Sequence, residues 1–82
     1  MPAMHAAKVE SSPRLQHLLR ELDIRGRDGI TTWEIIEVCH IVSPSTAIAE
    51  LRKNGYVFER TYEGKTDNGR QVHRYVLIGK AA

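Results

Sequence analysis

Ser43-Pro44-Ser45-Thr46-Ala47-Ile48-Ala49-Glu50-Leu51-Arg52-Lys53-Asn54-Gly55 reads as a short helix with both ends marked. Ser43 is a favoured N-cap residue, whose hydroxyl takes an orphan N–H of the first turn. Pro44 suits the first helical position, which needs no N–H, and Gly55 suits the left-handed stop after the last turn. Ala47, Ile48 and Leu51 share one side. The other side carries Ser45, Thr46, Ala49 and Lys53, with Glu50 and Arg52 flanking. A narrow apolar back and a small, polar, partly basic front describe a helix that lies on a partner.

Upstream, Ser12-Pro13 is a second cap-plus-proline start. Leu15, Leu18, Leu19 and Leu22 follow at i, i+3, i+4 and i+7, one helical stripe that ends at Gly26. Asp28-Gly29 makes a turn and Ile30 is a lone apolar residue. Thr31-Thr32-Trp33-Glu34 is a capping box opening a helix to about Cys39, with Ile35, Ile36 and Cys39 on one face. His40-Ile41-Val42 then links this helix to Ser43, the length of the turn in a helix-turn-helix.

Downstream, the period changes. Tyr56 to Tyr62 and Gln71 to Ile78 are rich in aromatic and β-branched residues, as strands are. Glu63 to Arg70, with Gly64, Asp67, Asn68 and Gly69, is the turn between them. The expected core is Leu15, Leu18, Leu19, Leu22, Ile35, Ile36, Ala47, Ile48, Leu51, Val57 and Leu77. The strand phase stays open: Val57 inward carries Glu59 with it, whereas Tyr56 and Phe58 inward reverse the faces. Residues 1–11 lack a sustained period and are expected to be a mobile tail, residues 12–79 the folded domain, and 80–82 a C-terminal tail.

Composition narrows the function. With 82 residues there is room for one domain. One cysteine, Cys39, excludes an internal disulfide framework and fits a reducing compartment. No apolar run reaches the ~20 residues of a membrane span, and no secretory signal opens the chain, so a cytoplasmic location is expected. Net charge is +2, unevenly spread. Residues 1–42 hold five Lys/Arg and six acids, whereas residues 43–82 hold seven Lys/Arg and four acids. A local basic surface matters more to a polyanion than the global sum. His5, His17, His40 and His73 have no paired ligand spacing, and no nucleophile-and-base pair, paired-carboxylate site or nucleotide loop is evident. A non-enzymatic protein with no metal, cofactor or small-molecule substrate is expected.

The order helix, extended residue, helix, short turn, helix, hairpin resembles the winged helix-turn-helix family of DNA-binding domains over about residues 12–79. The resemblance rests on Ile30-Thr31-Thr32-Trp33-Glu34, Ser43-Pro44-Ser45-Thr46, Leu51-Arg52-Lys53-Asn54-Gly55-Tyr56 and Arg74-Tyr75-Val76-Leu77. Together these are similar to small modules of bacteriophages and mobile elements. The resemblance implies an α+β fold, a three-helix core followed by a two- or three-stranded β-wing. It implies a DNA-binding protein, a transcriptional regulator or an excisionase-like architectural factor, with the third helix in the major groove and the wing on the backbone. By resemblance Ser43, Ser45, Thr46, Ala49 and Lys53 face double-stranded DNA, with Arg52 at the edge.

The wing adds Lys65 and Arg70, with Arg60, His73 and Arg74 along its strands. About four to six phosphate contacts are expected from this set, each steepening the dependence of affinity on salt. Lys65 and Arg70 also fit a solvated turn, and Arg60 and Arg74 also fit cross-strand partners of Glu59 or Glu63. Paired base readers such as Arg, Asn or Gln are sparse on the helix front. Specificity is therefore expected from a homodimer or from DNA shape. The competing function is a winged-helix protein-interaction module, built on an exposed Trp33, Val38 and Ile41 patch.

Overall fold

Ser12 accepts from the Leu15 N–H at 3.4 Å and Pro13 follows it, so the first helix, α1, runs Pro13–Arg25. It stops where Gly26 takes φ +56°. The computed structural model describes residues 8–81. The expected mobile tail falls largely on residues 1–7, outside the described residues, as does Ala82. Val9–Ser11, assigned to that tail, form one 3-10 turn. Gln16 Nε2 donates to Val9 O and Glu10 O, and Asn54 Oδ1 accepts from the Val9 N–H at 3.2 Å. That turn is thereby tied to two helices.

A second 3-10 turn, Gly26–Asp28, leads into β1, the two residues Ile30–Thr31. Gly29 between them has φ +67°, and a Cβ there would lie 2.5 Å from Tyr75 O. Glycine lets the chain approach the sheet closely enough for β1 to pair with a distant strand. The capping box is present in full: Thr31 Oγ1 accepts from the Glu34 N–H at 3.2 Å, and Glu34 Oε1 accepts from the Thr31 N–H at 2.9 Å. Helix α2 spans Thr32–Cys39, ending at His40 with φ +56°. Helix α3 spans Pro44–Lys53.

Strands β2, Tyr56–Lys65, and β3, Gln71–Lys80, form the wing. The sheet is antiparallel in the order β1-β3-β2, with Ile30 opposite Tyr75. The strands are longer than the sequence suggests. Gly64, at φ +101°, accompanies a bulge between Tyr62 and Lys65 that carries β2 onward, leaving a short tip. The tip is closed by Thr66, whose N–H donates to Arg70 O at 2.8 Å and whose hydroxyl accepts from the Arg70 N–H. Lys80, expected in the C-terminal tail, is the last residue of β3.

Leu15, Leu18, Leu22, Ile30, Ile35, Ile48 and Leu51 are fully buried and bring the three helices and β1 together. Three expectations need correction. Val57 is 45% exposed, because Tyr56 and Phe58 take the helix-facing side of β2 and pack against the core, which selects the second of the two open phases and turns Val57 outward. Ile36 and Leu19 are only half-buried, at the margins of their stripes. Ile30, Ile41 and Tyr75, absent from the expected core, belong to it.

Candidate nucleic-acid interface

Helix α3 turns Pro44, Ala47, Ile48 and Leu51 to the core. Helical geometry then sends Ser45, Thr46, Ala49, Arg52 and Lys53 to the opposite side, and all five are exposed. Ser43 occupies the N-cap position, and its carbonyl accepts from the Ala47 N–H at 3.1 Å. Its hydroxyl does not cap. It donates to Thr46 Oγ1 at 2.8 Å, where the third helical residue offers a competing hydroxyl. The first turn of α3 thus presents two linked hydroxyls, and its backbone N–H groups receive no bond from the Ser43 side chain.

The acid on this helix, Glu50, is held by α1. Arg14 Nη2 donates to Glu50 Oε1 at 2.6 Å, and the Glu50 side chain is only 15% exposed. The outward stripe of α3 therefore carries Arg52 and Lys53 with its carboxylate drawn aside and neutralised. Arg52 also lies over the Phe58 ring, 6.0 Å from its centroid. That contact joins the stripe to the wing.

The two wing arginines that the sequence treats alike separate by strand face. Arg60 is opposite Tyr75, on the side of Phe58 and Leu77 that faces the helices. It is exposed, and no salt bridge holds it among the described residues. Arg74 is opposite Thr61, on the other face. Its Nε and Nη2 meet both oxygens of Glu63 at 2.8 and 3.1 Å, and its Nη1 donates to Asp28 O at 2.7 Å. The Glu63 carboxylate raises the Arg74 pKa, and Arg74 in turn lowers that of Glu63. Arg74 clamps the wing to the turn before β1 and stands apart from the α3 stripe.

At the tip, Lys65 and Arg70 are exposed. The Arg70 guanidinium lies 5.7 Å from the centroid of the Trp33 ring, a cation–π distance. Trp33 is half-buried at the start of α2 and steadies the tip arginine. Beside it, Thr32 Oγ1 accepts from the His73 N–H and donates to His73 O, fixing α2 to β3. His73 packs between Tyr62 and Tyr75, with Nδ1 buried and without a hydrogen-bond partner among the described residues. It is part of the wing's packing. Two residues that sequence reasoning left aside matter here. Arg14 shows its role only through a contact 36 residues away, and Val42 is an exposed apolar residue in the turn before α3.

Among the described residues no group of three or more His, Cys, Asp or Glu is placed to hold a metal ion. Cys39 is buried, which pushes its thiol pKa up. None of the helices described is long and apolar enough to cross a membrane. Neither a curated protein nor a solved structure matches the chain. A family model for the winged helix-turn-helix domain matches residues 6–80, nearly the whole length. Three helices, the short turn before the third and the antiparallel wing are arranged as that match requires, and the chain belongs to the winged helix-turn-helix domain family, a membership that points to DNA binding.

Proposed function

We propose that this chain is a small non-enzymatic protein of phage or mobile-element type that binds double-stranded DNA. It acts in the cytoplasm as a transcriptional regulator or as an excisionase-like architectural factor. Helix α3 enters the major groove with Ser43, Ser45, Thr46, Ala49 and Lys53 toward the DNA. Arg52, Arg60, Lys65 and Arg70 meet phosphates along one flank. Arg74, committed to Glu63 and Asp28, is left out of this set.

The observation that carries the reading is the outward face of α3, exposed from Ser45 to Lys53, whose one carboxylate is bonded away by Arg14. A helix N-terminus with open N–H groups suits a phosphate, and small side chains allow close approach to the groove. Direct base readers remain few, so a second copy on a neighbouring half-site or the deformability of the duplex supplies much of the specificity. The competing protein-interaction reading needs an exposed Trp33, Val38 and Ile41 patch. Ile41 is 3% exposed and the other two are half-buried.

A salt titration tests the proposal. With about four to six phosphate contacts, log K falls linearly with log salt at about 0.9 per contact. Lys53→Glu with Arg70→Glu abolishes binding while the circular dichroism spectrum is kept. Affinity that hardly changes with salt, or a folded double variant that binds as before, refutes it.

A further inference from the structure

Val42 is 92% exposed, against 70% for Ile24 and 55% for Ile78. It is nevertheless held in place. His40 before it is fixed in a left-handed conformation, Ile41 is buried in the core, and Pro44 after it is buried at the start of α3. A β-branched side chain has few rotamers, so its methyl groups are presented in a defined direction. Val42 lines a shallow concavity of ≈ 290 Å³ with Arg14, His40, Ile41, Ser43 and Thr46. Ser43 Oγ donates to Thr46 Oγ1, which leaves the Thr46 hydroxyl proton for an outside acceptor. The leading end of α3 thus offers an apolar group and a hydroxyl donor side by side.

Each base has its own pattern in the major groove. Guanine shows two acceptors, adenine an acceptor and a donor, cytosine a donor, and thymine an acceptor beside the C5 methyl group. A donor next to an apolar surface complements thymine alone. We propose that Val42 and Thr46 read a thymine at the leading edge of the third helix. Val42 packs on the C5 methyl group and the Thr46 hydroxyl donates to O4. This assignment rests on the DNA-binding function proposed above and supplies a base contact that the rest of the α3 face lacks.

The test starts from duplexes selected out of a random pool by the full chain. In the selected site each thymine is replaced in turn by deoxyuridine, which removes only the methyl group. At one position next to the start of α3 the replacement weakens binding by about four-fold, the weight of one methyl group removed from water. In Val42→Ala that penalty at the same position disappears, whereas the salt dependence of binding is unchanged. Val42 is exposed, so the thermal transition of the variant matches that of the original chain. A deoxyuridine penalty that survives in Val42→Ala, or the absence of any such position, overturns the assignment while leaving DNA binding standing. Failure to bind any duplex at low salt overturns DNA binding and the assignment with it.

Discussion

Arg14 sits in the first turn of α1 and reaches across to the middle of α3, where its Nη2 lies 2.6 Å from Glu50 Oε1. A cation in a first turn opposes the helix dipole, so Arg14 is unfavourable for its own helix. Its partner is the carboxylate nearest the exposed face of α3. A half-exposed ion pair contributes about 0–1 kcal/mol to stability. Its larger effect is on the field that a phosphate meets.

Arg14→Gln should therefore change stability by no more than about 0.5 kcal/mol, as the lost pair and the relieved dipole conflict offset each other. DNA affinity should fall by several-fold, because the Arg14 cation that offsets the Glu50 charge beside the phosphates is lost. Adding Glu50→Gln should restore most of the affinity. Fluorescence anisotropy at fixed salt, with urea unfolding alongside, reads both effects. If Arg14→Gln binds as tightly as the original chain, the Arg14–Glu50 pair does not shape the field that the DNA meets.

Arg60 and Arg74 allow the wing to be tested by face. Arg60→Ala should lower the salt slope by about 0.9, the weight of one phosphate contact. Arg74→Ala should leave the slope unchanged and act on stability, since it removes three hydrogen bonds joining β3 to Glu63 and Asp28. Measured slopes for the two variants on one duplex decide the matter. Equal losses of slope would mean that the outer face of the wing also touches DNA.

The contrast between these two arginines shows where the sequence stopped being readable. Caps and i, i+3, i+4 spacings are local, so Ser12, Thr31, Glu34 and Gly26 mark helix ends that the structure keeps. Ile30 and Tyr75 were missed from the core because their burial comes from a pairing 45 residues apart. Val57 was misplaced because Tyr56-Val57-Phe58-Glu59 fits either phase of the two-residue period, and only the packing of Tyr56 and Phe58 on the core selects one. Arg60 and Arg74 look alike in the sequence, and only the register assigns them to opposite faces. The α3 stripe was legible from helical period alone, whereas the neutralisation of Glu50 required the packing of α1 on α3.

Gly29 is the position where that long-range pairing is most exposed to mutation. It has φ +67°, and an added Cβ would meet Tyr75 O at 2.5 Å, Val76 Cγ2 at 2.9 Å and Arg74 Cγ at 3.2 Å. A side chain at φ +67°, ψ −168°, a region left almost entirely to glycine, already costs ~1–3 kcal/mol, and the backbone contact forces β1 away from β3. Gly29→Ala should lose at least ~2 kcal/mol in urea unfolding. Gly69→Ala shares a positive φ but has nothing within 4 Å, so it should lose only the conformational part. Equal losses at the two sites would show that the close approach to Tyr75 is unimportant.

The capping box gives the fold a dependence on pH. The Thr31 N–H is the main cause that lowers the Glu34 pKa below the ordinary carboxylate value, with Arg25 Nη1 at 3.1 Å adding to it against an opposing push from burial. A carboxylate with a lowered pKa in the folded state stabilises the fold above its unfolded pKa, and that contribution vanishes as pH falls through the folded value. Glutamine keeps the acceptor of the capping box, so Glu34→Gln should be less stable than the original chain by about 0.3–1 kcal/mol at pH 7, the weight of a negative charge in the first turn of a helix. At pH 3 the gap should narrow, because a protonated Glu34 resembles glutamine. Glu63, lowered by Arg74, titrates in the same direction, so Glu63→Gln in the same background separates the two contributions. Urea unfolding of the original chain and both variants at pH 3, 5 and 7 provides the comparison. A Glu34→Gln deficit of the same size at every pH would mean that the carboxylate charge plays no part in holding the start of α2 to its cap and to Arg25 of α1.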